Sequence, residues 1–146
     1  MKDVLASQNK PPLELTPRQW RSRLTDAVLG SFTLQTKAKH LPDRIRTDKV
    51  FHAFYELQHE YPEWLGSLHF EIAANAYISK QLEDVLFSLG AFRLITVENH
   101  DYRYLRIDKE IREEIKKRIR ERISAKDLRE LRHMSNEFAN VVGEEP

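Results

Sequence analysis

Leu68-His69-Phe70-Glu71-Ile72-Ala73-Ala74-Asn75-Ala76-Tyr77 is the stretch on which the reading of this 146-residue chain turns. Leu68, Ile72 and Ala73 fall on one face at helical spacing, and the alanines leave room for a second helix to approach closely, so the spacing predicts a short helix. Ser79 then offers an N-cap, Leu82, Val85, Leu86 and Leu89 follow at steps of three and four, and Gly90 supplies a stop. A second helix is expected there, with Lys80, Gln81, Asp84 and Ser88 outward. Phe92 to Val97 and Tyr102 to Ile107 are β-rich runs on either side of the polar residues Glu98-Asn99-His100-Asp101. They predict an antiparallel hairpin whose tip lies at 99–101.

Upstream, Thr16-Pro17-Arg18-Gln19 combines an N-cap, proline at the first helical position and glutamine at the third, a capping box. Trp20, Leu24, Ala27 and Val28 make an apolar stripe ended by Gly30, giving a helix over 17–29. Ser31 to Leu41 reads two ways, because Phe32 and Leu34 alternate with polar residues as in a strand and the chain then turns basic. Pro42-Asp43 marks a turn, and Thr47 or Asp48 caps a helix carrying Val50, Phe51, Phe54, Tyr55 and Leu57 as far as Tyr61-Pro62. Its three aromatic residues place it at the centre of the core. Trp64-Leu65 follows as a loop or short edge strand.

Beyond the hairpin, Asp108 caps a charged helix in which Ile111, Ile115, Ile119 and Ile123 recur every four residues. Each such step drifts by about 40° on an α-helix, so the isoleucines trace a slanting band and not a coiled-coil seam. Ser124-Ala125-Lys126-Asp127 resembles a fresh N-cap, and Leu128, Leu131, Met134, Phe138, Val141 and Val142 start on a rotated face. Two helices, or one bent near Ser124, are expected. Residues 1–14 read as a flexible arm, 15–142 as a single domain and 143–146 as a disordered tail.

The chain is 40% hydrophobic and 32% charged, with a mean hydropathy of −0.62, which describes a charge-rich helical protein. No apolar run approaches the roughly 20 residues that cross a bilayer, and Met1 to Gln8 lack a signal-peptide core, so no membrane and a cytoplasmic location are expected. Zero cysteines exclude disulfides, thiolate nucleophiles and Cys-ligated metals. Glu56 and His59 share a helical face at the spacing of carboxylate-bridged di-iron helices, a spacing that Glu130 and His133 repeat, but such a site also needs further glutamates from two other helices, and no metal site is expected. Four glycines, at 30, 66, 90 and 143, form no phosphate-cradling loop. Neither an enzyme nor a cofactor is expected. The net charge of +1 conceals a division: residues 17–49 hold 8 basic and 3 acidic groups, 50–101 hold 2 and 8, and 102–132 hold 12 and 7.

The helix, turn, helix and hairpin over about residues 47–107 resemble the winged helix-turn-helix superfamily, by pattern and without pointing to a particular family. The expected fold is α+β and predominantly helical, with a winged-helix-like core, a β-hairpin wing, an extra N-terminal helix and a C-terminal helical extension. The resemblance implies that the second helix enters a major groove and that the hairpin contacts the backbone. Nucleic-acid contacts are then expected from Lys80 and Gln81 on that helix, Arg93, Arg103 and Arg106 on the wing, and Arg18 and Arg21 in the basic flank. Glu83 and Asp84 oppose them, so duplex DNA would be bound with weak sequence preference. The run Lys116 to Arg122 reads as a solvated, salt-bridged face, since Glu113 to Lys117 and Glu114 to Arg118 have the favourable order. In winged-helix regulators the terminal helices often dimerise, which assigns Ile111, Ile115, Ile119, Leu128, Leu131 and Phe138 to a homodimer interface. The function expected is that of a DNA-binding transcriptional regulator or accessory factor. The competing expectation is an assembly module whose acidic winged-helix surface docks a basic protein partner and no nucleic acid. Whether the basic flanks share a face decides between them.

Overall fold

A reciprocal cap opens the first helix: the Gln19 backbone N–H donates to the Thr16 hydroxyl at 3.1 Å, and the Thr16 N–H donates to the Gln19 side chain at 2.9 Å. This helix, α1 (Pro17–Thr33), belongs to a computed structural model that describes residues 14–36, 41–42, 44–74, 76–91, 96–98 and 104–143. Of the expected flexible arm over 1–14 and disordered tail over 143–146, residues 1–13 and 144–146 lie outside the described residues, while Gly143 is the last residue of a helix and not part of a tail. Gly30 is not a stop. The helix continues to Thr33, and a Cβ on Gly30 would meet Leu34 at 3.3 Å and Leu131 at 3.6 Å. The tighter of these contacts is with the Leu34 side chain just past the same helix, the one with Leu131 being ordinary van der Waals distance, and the strand alternative for 31–33 fails because Phe32 is buried as part of a helical face.

The chain continues with β1 (Ile45–Arg46), α2 (Thr47–Gln58), α3 (Pro62–Leu65), β2 (Glu71–Ala73), β3 (Ala76–Ile78), α4 (Lys80–Ala91), β4 (Thr96–Glu98), β5 (Tyr104–Arg106), α5 (Lys109–Arg122) and α6 (Ala125–Gly143). The architecture is α+β and predominantly helical, with two small antiparallel sheets, β1-β5-β4 and β2-β3. The N-cap of α2 is Arg46, with no side-chain hydrogen bond, so neither Thr47 nor Asp48 caps it, and the helix stops at Gln58, short of Tyr61. Trp64 and Leu65 are buried in the one-turn helix α3, led by Pro62.

The helix expected over 68–77 is instead the β2–β3 hairpin, with Glu71 opposite Ile78, Ile72 opposite Tyr77 and Ala73 opposite Ala76. Of the supposed stripe only Leu68 is buried, whereas Ile72 and Ala73 are exposed. Tertiary contact overrides the local spacing: the Tyr77 ring stacks on Tyr55 of α2 at 4.1 Å, and Phe70 meets Tyr55 edge-on at 5.4 Å. The connection carries Ala74 at φ 53°. Left-handed backbone costs a residue with a Cβ roughly 1–2 kcal/mol, more than the roughly 0.4–1 kcal/mol that a new glycine adds in unfolded-state freedom. Ala74→Gly is expected to raise the thermal midpoint by about a degree or two. A lowered midpoint in a melting experiment would contradict this account of the turn.

Phe138 of α6 lies at the centre of the core, 5.2 Å from Phe32 of α1 and 5.1 Å from Phe54 of α2, and all three are fully buried. Leu82, Val85, Leu86 and Leu89 are buried along α4, as their spacing requires. Beneath α1, α5 buries Ile115 and Ile119, and the Arg122 guanidinium grips Asp26 through two hydrogen bonds of 3.1 and 2.5 Å. The chain breaks at Ile123-Ser124, where the Ser124 hydroxyl accepts from the Asp127 N–H at 3.2 Å, so α5 and α6 are separate helices.

This packing removes the basis for the homodimer interface. Ile115, Ile119, Leu131 and Phe138 are buried in the chain's own core, and Ile111 and Leu128 pack against it partly buried. The two differently oriented apolar faces of α5 and α6 need no partner subunit to cover them. They are consumed because α6 inserts between α1 and α2 while α5 lies along α1.

Candidate nucleic-acid interface

Two residues of β1 join the basic flanks. Ile45 pairs with Leu105 and Arg46 with Tyr104, and since Ile45 and Leu105 are buried, alternation turns Arg46, Tyr104 and Arg106 to the outer face of the sheet. The Arg44 guanidinium lies over the Tyr104 ring, 4.9 Å from its centre. Arginines from the segment before the acidic middle of the chain and from the segment after it thus meet on one surface. Each strand arginine has an acid two residues on. Arg46 engages Asp48 through two hydrogen bonds of 3.1 and 2.6 Å, and Arg106 stands 3.9 Å from Asp108. Exposed pairs of this kind contribute about 0–1 kcal/mol, so a phosphate oxygen can replace either carboxylate at little cost.

The other expected contact residues are dispersed or engaged. Arg18 is exposed on the first turn of α1, and Arg21 donates to the Ser88 hydroxyl at 2.8 Å, bracing α1 against α4. Lys80 is exposed where α4 begins. The Gln81 carbonyl accepts from the His69 N–H and from the Ser79 hydroxyl, both at 3.1 Å. It clasps the root of the hairpin to the helix, which takes its acceptor away from base reading. Arg93 and Arg103 lie outside the described residues. Arg44 and Arg46 belong to the basic region that precedes the module in sequence, but their meeting with Arg106 is not legible there, because a two-residue strand shows no periodicity beyond the single apolar Ile45 between them. The β4–β5 pairing agrees with the expected hairpin, although its tip lies outside the described residues.

A second polar cluster joins the end of α2 to α6. The Tyr61 hydroxyl donates to Glu137 at 3.2 Å, His133 stands 3.3 Å from the same carboxylate, and the Trp64 indole N–H donates to Glu130 at 2.8 Å. Burial first, then the neighbouring Glu137 carboxylate, holds the Tyr61 phenol well above its usual range. A hydrogen bond with Glu137, reinforced by desolvation and like charge, raises the Glu60 carboxyl above its ordinary 4.5. The folded chain therefore holds that proton more tightly than the unfolded chain does. Its stabilising contribution is full below the ordinary value and is lost as pH rises through the raised one. Glu60→Gln mimics the protonated carboxyl, so the variant is expected to melt above the parent at neutral pH, the gap closing as pH falls toward about 4.5. A gap independent of pH would deny that the fold holds the Glu60 proton more tightly.

Among the described residues no group of three His, Asp or Glu side chains is placed to hold a metal ion, and no helix is long and apolar enough to cross a membrane. Comparison with protein-family models, with curated proteins and with solved structures finds no match for the chain.

Proposed function

We propose that this protein is a non-enzymatic, cytoplasmic nucleic-acid-binding regulator or accessory factor of winged-helix type, which grips duplex phosphates through the outer face of the β1-β5-β4 sheet. The observation that carries the reading is the β1–β5 register, which sets Arg44, Arg46 and Arg106 around Tyr104. A helix followed directly by the antiparallel β4–β5 pair supports a wing beside that face. Phosphate contact rather than base reading is favoured by α4, whose exposed residues include Glu83 and Asp84 and whose Gln81 is engaged at the hairpin root. The test is fluorescence anisotropy with random-sequence duplex DNA at about 50 mM salt, where phosphate contacts are strongest. Micromolar binding that weakens in the Arg46→Ala and Arg106→Ala variants is expected. No binding at micromolar protein would remove the proposal.

A further inference from the structure

The described residues expose three large apolar side chains, Ile72 at 67%, Ile78 at 41% and Phe87 at 74%. All three lie on the β2–β3 hairpin and on α4, the helix that follows it. The hairpin is seated through β3, where Tyr77 stacks on Tyr55 and lies 5.3 Å from His52. β2 overhangs: all three of its residues are exposed, and among the described residues its only strand partner is β3. Among the described residues nothing else pairs with β2, so its outer edge offers backbone N–H and C=O groups to another chain. The clasp from Gln81 to His69 and Ser79 holds the hairpin root against the first turn of α4. On α4, Glu83 and Asp84 are exposed along the line that leads from Lys80 to Phe87 two turns later, and Glu71 adds a carboxylate on β2. Acid outweighs base across the whole surface.

From this juxtaposition we infer that the hairpin and α4 form a docking surface for an extended, basic segment of a partner protein. The segment adds as a third strand along β2. Its apolar residue packs on Ile72, and its Lys or Arg side chains meet Glu71, Glu83 and Asp84. Phe87 supplies an aromatic anchor beyond the strand. Opposite charge selects the partner and speeds its approach, while backbone pairing fixes its register. The arginine-bearing sheet face takes no part, so the inference stands whether or not nucleic acid is bound.

The experiment titrates the full chain against a fluorescein-labelled peptide of sequence Lys-Val-Arg-Val-Lys-Val-Arg-Val and reads anisotropy. Saturable binding in the tens of micromolar is expected. It should weaken by roughly ten-fold in Ile72→Asn and in Glu71→Lys and remain unchanged in Arg46→Ala. Because Ile72 and Glu71 are exposed, these variants keep the fold, which circular dichroism verifies. A peptide with proline at alternate positions lacks the N–H donors and is expected not to bind. Equal binding of the proline peptide would reduce the contact to bulk charge attraction and overturn the inference. So would indifference to Ile72→Asn, absence of binding at high micromolar peptide, or sedimentation showing that Ile72 is covered by a second copy of this chain.

Discussion

Phe138→Ala is expected to lower the free energy of unfolding by about 3–5 kcal/mol, the usual cost of emptying a buried phenylalanine site. The ring is wholly buried and touches one aromatic ring from each of two other helices, Phe32 of α1 and Phe54 of α2. Truncation removes both ring contacts and leaves a void that three helices would have to close together. Domains of this kind are stable by only about 5–15 kcal/mol, so the variant gives up a large share of the total. Urea denaturation followed by circular dichroism measures it. A loss under about 1 kcal/mol would mean that α6 is peripheral and that the core is centred elsewhere.

The second large effect concerns salt. Each phosphate neutralised on a duplex costs about 0.9 log units of affinity per log unit of salt, so four contacts lose roughly a hundred-fold between about 50 and 200 mM. Replacing Arg44, Arg46 and Arg106 together with alanine is expected to flatten the slope by about 2–3 and to weaken binding at every sequence alike. Arg93→Ala and Arg103→Ala are expected to act in the same direction, whereas Gln81→Ala should leave sequence preference unaltered. A salt-independent affinity, or a triple variant with the parental slope, would place the phosphates elsewhere on the molecule.

Local chemistry was readable where it is self-contained. The cap at Thr16, the apolar stripe of α4 and the paired β-rich runs around the hairpin tip each depend on neighbours in sequence. The segment 68–77 failed for the opposite reason. Its alanines and its Leu68–Ile72 spacing suit a helix, and only the ring of Tyr55, far away on α2, draws Tyr77 into a strand. Gly30 reads as punctuation, yet the helix runs on to Thr33, because the buried Phe32 that follows the glycine holds the chain in the helical face. The isoleucines of α5 announced a buried face without saying what buries it, and the answer is α1 of the same chain. The arginine surface was least legible of all, since its members are joined by a two-residue strand paired across almost half the chain.

The Asp26–Arg122 clasp and the hydrogen bond from Ser135 to the Ser31 carbonyl span 96 and 104 residues of sequence. α6, the chief partner of α1, leaves the ribosome after every other described element that separates the two in sequence. At about 5–20 residues per second, Phe32 waits roughly 5–20 s before Phe138, the ring it packs against, has been synthesised. Native closure is therefore a late event in biosynthesis, slowed further by the distance in sequence between the groups that must meet. Throughout that interval the nascent chain presents an amphipathic helix that a chaperone can hold, and an early stop before Ala125 leaves Phe32 without the Phe138 ring that packs on it.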